Sequence, residues 1–283
     1  MANLFSGLES LGLGKLSKLN VYDESNQAAK KNDNGGQVQQ LSEADFLFEK
    51  TFTCPVCDKE FKSKTVKAGK VKLVSADTDL RPKYQLIDSL KYDVVACPHC
   101  GYAALNRFFN YMTSMQARLI KESISSSFKG LAPEGDVISY DEAITKHKLA
   151  LVNAIVKKAK LSERAYTCLK TAWLLRGKAE FLPEDTKDYA TIIEGLHKEE
   201  MEFLSKAYEG FIEAFSKELF PMCGMDENTT TYLVADLARR IGKYDEATRL
   251  ISKVLTSRDA NERIKVKARE IKDLISDDKQ NTK

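Results

Sequence analysis

"DVVACPHCGYAALNRFF", residues 93–109, places Cys97 and Cys100 in a Cys-Pro-His-Cys-Gly turn. "TFTCPVCDKEF", residues 51–61, carries a near-copy, Cys54-Pro55-Val56-Cys57. Two cysteines two residues apart can direct both thiolates at one ion while the turn amides point at the sulfurs. Proline after the first cysteine stiffens such a turn, and glycine after the second permits a positive φ. Gly101 stands at that position in one turn and Asp58 in the other; Asp tolerates the left-handed region better than most residues. Together the pairs supply four sulfur ligands for one tetrahedral Zn2+: Cys54, Cys57, Cys97 and Cys100. A thioredoxin-like dithiol accounts for one pair but not for a second, proline-matched one. Four thiolates leave no open coordination position, so the zinc is expected to be structural, not catalytic. His99, between two ligands, is expected to face solvent. Holding 39 intervening residues in a closed loop costs chain entropy. The roughly 10–16 kcal/mol of a structural zinc outweighs it.

Between the pairs, "KSKTVKAGKVKLVSADTDLRPKY", residues 62–84, has β-branched runs broken by Gly69 and Pro82. Short strands with lysine-rich solvent edges are expected. "KYDVVAC", residues 91–97, reads as the strand that delivers Cys97. From Ala103 the period changes: Leu105, Phe108, Met112, Met115 and Leu119 fall on one helical face, predicting a helix there. Lys59, Lys62, Lys64, Lys67, Lys70 and Lys72 cluster in the insert. Lysines supply phosphate contacts, but few aromatics interleave as a stacking platform, so a solvated edge is favoured over nucleic-acid binding.

Beyond residue 138 the pattern is helical. Ser139-Tyr-Asp-Glu142 fits a capping box. Apolar residues then repeat at helical spacing to Ile275, about six helices in antiparallel-looking pairs. "TYLVADLARRIGKYDEATRLISKVL", residues 231–255, resembles a tetratricopeptide repeat, with Ala235, Gly242, Tyr244, Ala247 and Leu255 near its small and large positions. Stacked helical hairpins leave a groove that holds a peptide or partner helix. His147 and His197 each stand alone, without the second ligand a helical metal motif needs. Cys168 reads as a small buried hydrophobe, Cys223 as partly exposed, and Trp173 as core.

"TCPVC", "DTDLRPKY" and "YDVVACPHCGYAALNRFF" together resemble a bacterial family catalogued as domain of unknown function 2225. The matching hallmarks are Cys54, Cys57, Asp79, Leu80, Arg81, Tyr84, Tyr92 and the stretch from Cys97 to Ala103. "TAWLLRG", residues 171–177, and the "GKYDEA" region add weaker support over roughly residues 45–255. The resemblance implies a cytosolic protein with a zinc-ribbon-like head on a helical body, and no known activity.

The bulk numbers agree with this organisation. The chain has 283 residues, 43% apolar and 30% charged, with a formal net charge of +3. That balance gives no prior for nucleic acid or an anionic membrane surface. No apolar run approaches membrane-spanning length, and the N-terminus lacks the basic and continuous apolar regions of a signal peptide, so a cytoplasmic location is expected. "GLGKLS" is not a phosphate loop: Glu9 stands where its first glycine belongs, and Leu16 follows Lys15. The expected fold class is α+β, mostly α. A flexible segment (1–40) leads into a zinc-ribbon-like module with its following helix (41–122). A tetratricopeptide-like domain (139–276) and a polar tail (277–283) follow. The expected role is a zinc-binding, non-catalytic adaptor taking a protein partner in its helical groove. A nucleic-acid-binding ribbon and a redox-responsive zinc switch are the alternatives. No Ser/His/Asp set, paired histidine ligands or phosphate loop points to an enzyme.

Overall fold

The computed structural model describes residues 41–281; the expected flexible segment 1–40 lies outside the described residues. Within them, six short strands precede seven α-helices, giving an α+β fold that is mostly α. The strands are β1 (Leu47–Thr53), β2 (Glu60–Val66), β3 (Leu73–Ala76), β4 (Pro82–Tyr84), β5 (Val94–Ala96) and β6 (Ala103–Leu105). They pair only as consecutive antiparallel hairpins, β1 with β2, β3 with β4 and β5 with β6. Each C-x2-C turn is therefore the tip of its own hairpin.

The helix expected from Ala103 begins later. Ala103–Leu105 is the return strand of the second hairpin, with Val95 opposite Ala104. Its period of two serves two neighbours. Ala103 and Leu105 pack with Val94, Ala96 and Ala150, whereas Ala104 joins the cysteine cluster. The 3–4 spacing of Leu105, Phe108 and Met112 is thus a strand end followed by a 3-10 turn (Asn106–Phe108), not one helical face. Helix α1 (Ser114–Ile120) starts after Thr113, whose hydroxyl accepts from the Gln116 amide. It runs on into a π turn, Lys121–Ser125.

The body comprises α2 (Tyr140–Val156), α3 (Leu161–Phe181), α4 (Tyr189–Lys217), α5 (Glu227–Arg240), α6 (Tyr244–Thr256) and α7 (Glu262–Asn281). The Ser139 capping box forms: the hydroxyl accepts from the Glu142 amide at 3.2 Å, and the Glu142 carboxylate accepts from the Ser139 amide at 2.7 Å. Gly242, at φ +78°, turns α5 into α6. Ala235, Ala238 and Ala247 are fully buried there, which lets the two helices approach closely. Leu169, Leu174, Leu204, Phe211, Leu237, Val254 and Ile271 extend this core through the body, with Trp173 and Cys168 inside it as the sequence suggests. The last helix continues through Asn281, past the expected start of a polar tail at 277. Ion pairs hold this turn in place of apolar burial: Asp278 accepts from Arg239 and Lys279 donates to Asp245.

Candidate metal centre

The two hairpin tips bring Cys54, Cys57, Cys97 and Cys100 together, all four sulfurs within 4.8 Å of one another. Cys54 Sγ lies 3.6 Å from Cys100 Sγ, and Cys57 Sγ lies 3.7 Å from Cys97 Sγ. A disulfide needs about 2.05 Å, so these are not bonded sulfurs. A tetrahedron with Zn–S bonds of about 2.3 Å puts its sulfurs about 3.8 Å apart, close to the observed spacing. The cluster can hold a metal ion.

The two turns share one backbone plan. In the first, the Asp58 amide donates to Cys54 O at 2.9 Å and the Cys54 amide to Lys59 O at 3.0 Å. In the second, Gly101 donates to Cys97 O at 3.1 Å and Cys97 to Tyr102 O at 2.7 Å. Asp58 and Gly101 adopt φ values of +59° and +74°, the left-handed conformation expected at both sites. The Val56 amide points at Cys54 Sγ, 3.5 Å away. Such amides stabilise charge on sulfur.

Four packed thiols cannot all ionise without a cation. Hydrogen bonds from Cys100 and then Cys54 push the Cys97 thiol down to about 2. The same contacts, with Cys100 first and Cys97 second, push Cys54 far up. A divalent ion removes this conflict, because it favours the thiolate at every ligand and releases the protons.

A small core surrounds the cluster. Phe52, Phe61, Tyr102 and Phe109 pack beside the sulfurs, with ring centroids 5.0 to 6.1 Å apart. The second turn is also tied to the rest of the chain. Asn153 on α2 donates to Gly101 O at 2.9 Å, and Ser125 in the π turn donates to Cys100 O at 2.8 Å. The Phe128 ring lies so close that a Cβ on Gly101 would sit 2.6 Å from it. Cys54 and Cys97 are fully buried, Cys100 is buried, and Cys57 is partly exposed.

A second polar assembly lies in the insert between the cysteine pairs. Its hallmark stretch Asp77–Tyr84 does not run along a solvent edge. It docks on α3 and α5 through charge. Asp79, fully buried, accepts from Trp173 Nε1 at 3.0 Å and from both Arg176 amino nitrogens at 3.1 and 2.7 Å. Arg176 also donates to Asp77 at 3.0 Å and to Glu200 at 2.7 Å. Arg81, also buried, pairs with Glu180. Thr78 donates to the buried Asp236 at 2.7 Å and accepts from Arg240 at 2.8 Å. Burial alone would raise the Asp79 carboxyl, yet the Arg176 guanidinium holds it below its ordinary value. Asp79 and Arg81 carry the family resemblance, but hydrophobic periodicity cannot reveal residues buried by ion pairing.

Other candidates take structural places. His99 is exposed, its ring 3.4 Å from Glu60 O. His197 is exposed on α4. His147 is fully buried, its Nδ1 2.8 Å from Ala143 O, and burial pushes its pKa down to about 4. Cys223 is buried, not partly exposed as the sequence suggested, because its turn folds back onto the start of α3. Its thiol donates to Ser162 O at 3.2 Å, and Arg107 holds its carbonyl. Burial pushes the Cys168 and Cys223 thiols up to about 12. In the insert, Lys62 pairs with Glu49 and Lys67 donates to Asp45 O. No helix among the described residues is long and apolar enough to cross a membrane.

No curated protein and no solved structure matches this chain. Residues 47–275 match the family described as "Uncharacterized protein conserved in bacteria (DUF2225)". That match takes in both cysteine turns, the Asp79 network and all but the last residues of the helical body, so the chain belongs to this family.

Proposed function

We propose that the four cysteines hold one structural Zn2+ and that the chain works as a non-catalytic interaction protein. The four-sulfur cluster carries the metal reading. Its spacing suits zinc, and thiolates fill all four positions, leaving none open for a substrate or an activated water. When bound, the ion supplies neutralising charge and a cross-link between two hairpins 39 residues apart. The chain's own contribution is the pair of left-handed turns that aim the sulfurs, together with the hydrogen bonds from Asn153 and Ser125 that fix the second turn. Free, uncrosslinked cysteines suit a reducing compartment, in keeping with a cytoplasmic protein.

The interaction role falls to the helical body. The insert already covers the part of α3 and α5 around Arg176 and Asp236, so a protein partner takes another face. The outer side of α4 offers a shallow apolar depression lined by Lys198, Met201, Phe203 and Lys206. Nucleic acid is the less favoured partner, because two of the insert lysines are already engaged within the chain.

Elemental analysis of protein purified under reducing conditions tests the metal reading. One zinc per chain is expected, and a metal-free, fully folded protein would refute it. Charge reversal at Lys198 and Lys206 tests the partner face. Capture of the partner should be lost with an unchanged melting temperature.

A further inference from the structure

We propose that Cys57 is the oxidation site of the cluster and that its oxidised partner is Cys97, so that a peroxide-class oxidant opens the centre by joining the two hairpin tips. This inference rests on the zinc assignment and adds regulation to the same site.

Three observations carry it. The first is access. Cys54 and Cys97 have no exposed surface and Cys100 keeps 5%, whereas Cys57 is partly exposed. Oxidant selectivity among thiolates follows exposure. The second is cover. Phe128, Asn153 and Ser125 close over the second turn. Asp58 and Lys59, which follow Cys57, are exposed. The third is proximity. Cys97 Sγ lies 3.7 Å from Cys57 Sγ, so a disulfide forms by side-chain rotation with little backbone movement. Cys168 and Cys223 are buried elsewhere and offer no resolving thiol.

The chemistry balances with hydrogen peroxide. The Cys57 sulfur attacks one peroxide oxygen, the O–O bond breaks, and the departing hydroxide takes a proton to become water. Cys57 is then a sulfenic acid. The Cys97 thiolate attacks that sulfur, the S–O bond breaks, and a second hydroxide leaves and is protonated. Two electrons pass from the two sulfurs to the peroxide, and an S–S bond remains. Only Cys54 and Cys100 are then left for the ion, too few to retain it. The new bond closes the same loop that the ion closed, so the oxidised chain loses its metal while its insert stays bracketed.

The test uses the full-length, zinc-loaded chain and hydrogen peroxide, with a chromogenic chelator reporting released zinc. Trypsin leaves Cys54 and Cys57 on peptide 51–59, and Cys97 and Cys100 on peptide 92–107. Fragmentation of the cross-linked product should place the bond between Cys57 and Cys97. About one zinc should be released for each pair of thiols lost, with the helical circular dichroism unchanged. Brief labelling of the zinc-loaded protein with iodoacetamide should mark Cys57 about tenfold ahead of the other three ligands. A first disulfide within either peptide, a Cys54–Cys100 bond, or prior labelling at another ligand would overturn the proposal. Protein that carries no zinc before peroxide is added would instead refute the metal assignment.

Discussion

The two cysteine turns are near-copies in sequence and in backbone, yet they occupy different surroundings. The first, at the end of β1, keeps one ligand partly open and is followed by exposed Asp58 and Lys59. The second, between β5 and β6, sits on α2 and beneath Phe128, with its carbonyls held by Asn153 and Ser125. The motif thus fixes the local geometry of the sulfurs, while the neighbouring chain decides how much each turn matters to the whole. A four-ligand site built this way has one anchored half and one accessible half.

The largest expected effect comes from breaking either half at a sulfur. Cys97→Ser and Cys57→Ser should both abolish metal binding, read by elemental analysis. Cys97→Ser should cost more stability, on the order of several kcal/mol in urea unfolding, because it also leaves a hydroxyl at a fully buried position of the small core around the cluster. Equal losses would mean that the second turn is no better anchored than the first.

Asp79→Ala should follow closely. It removes one of the three carboxylates around the Arg176 guanidinium and leaves Trp173 Nε1 without its acceptor, and should cost about 3 kcal/mol, read by the same unfolding curves. A smaller loss, with Trp173 fluorescence unchanged, would show that the insert docks independently of this charge.

His147 lies on α2, the helix that supports the second hairpin. Its folded pKa of about 4 is below the ordinary 6.5. The unfolded chain therefore takes up a proton between those values while the folded chain does not. Stability from this group is complete above about pH 6.5 and falls as pH drops to about 4, by about 3 kcal/mol. His147→Gln should flatten that part of the pH profile relative to the parent chain.

The smallest effects should separate the turns by conformation alone. Gly101→Ala places a side chain at positive φ and against Phe128, and should cost roughly 2 kcal/mol or more. Asp58→Gly relieves the same conformation in the first turn and should be neutral or stabilising by up to about 1 kcal/mol. Thermal unfolding of both variants, zinc-loaded, measures the contrast.

Much of this was legible before any coordinates. Four cysteines with matched prolines gave the cluster, and Gly101 and Asp58 gave its left-handed turns. Ser139 and Glu142 gave a helix start, and "GKYDEA" a helical hairpin. What sequence did not reveal has separate physical causes. Ala103–Leu105 was read by spacing as helix because a strand end and the turn after it mimic a period of 3.6. The short strands and exposed lysines expected over residues 62–84 do form, but the docking of Asp77–Arg81 onto the helices is satisfied by charge, and apolar pattern is blind to that. Asn153 gave no signal at all: a lone amide on a helix becomes meaningful only when Gly101 O arrives beside it.

The Asp79 network also says something about the order in which the protein can be made. Thr78 meets Arg240 across 162 positions of chain. At about 5–20 residues per second, ribosomal synthesis separates the two by roughly ten seconds or more. Both hairpin tips have left the ribosome by then, while the surface that receives the insert has not. Asp79 and Arg81 wait a shorter time, until α3 brings Arg176 and Glu180, whereas Thr78 lacks Asp236 and Arg240 for the whole interval. The nascent cysteine turns must persist beside an insert that is anchored first by α3 and completed only when α5 emerges.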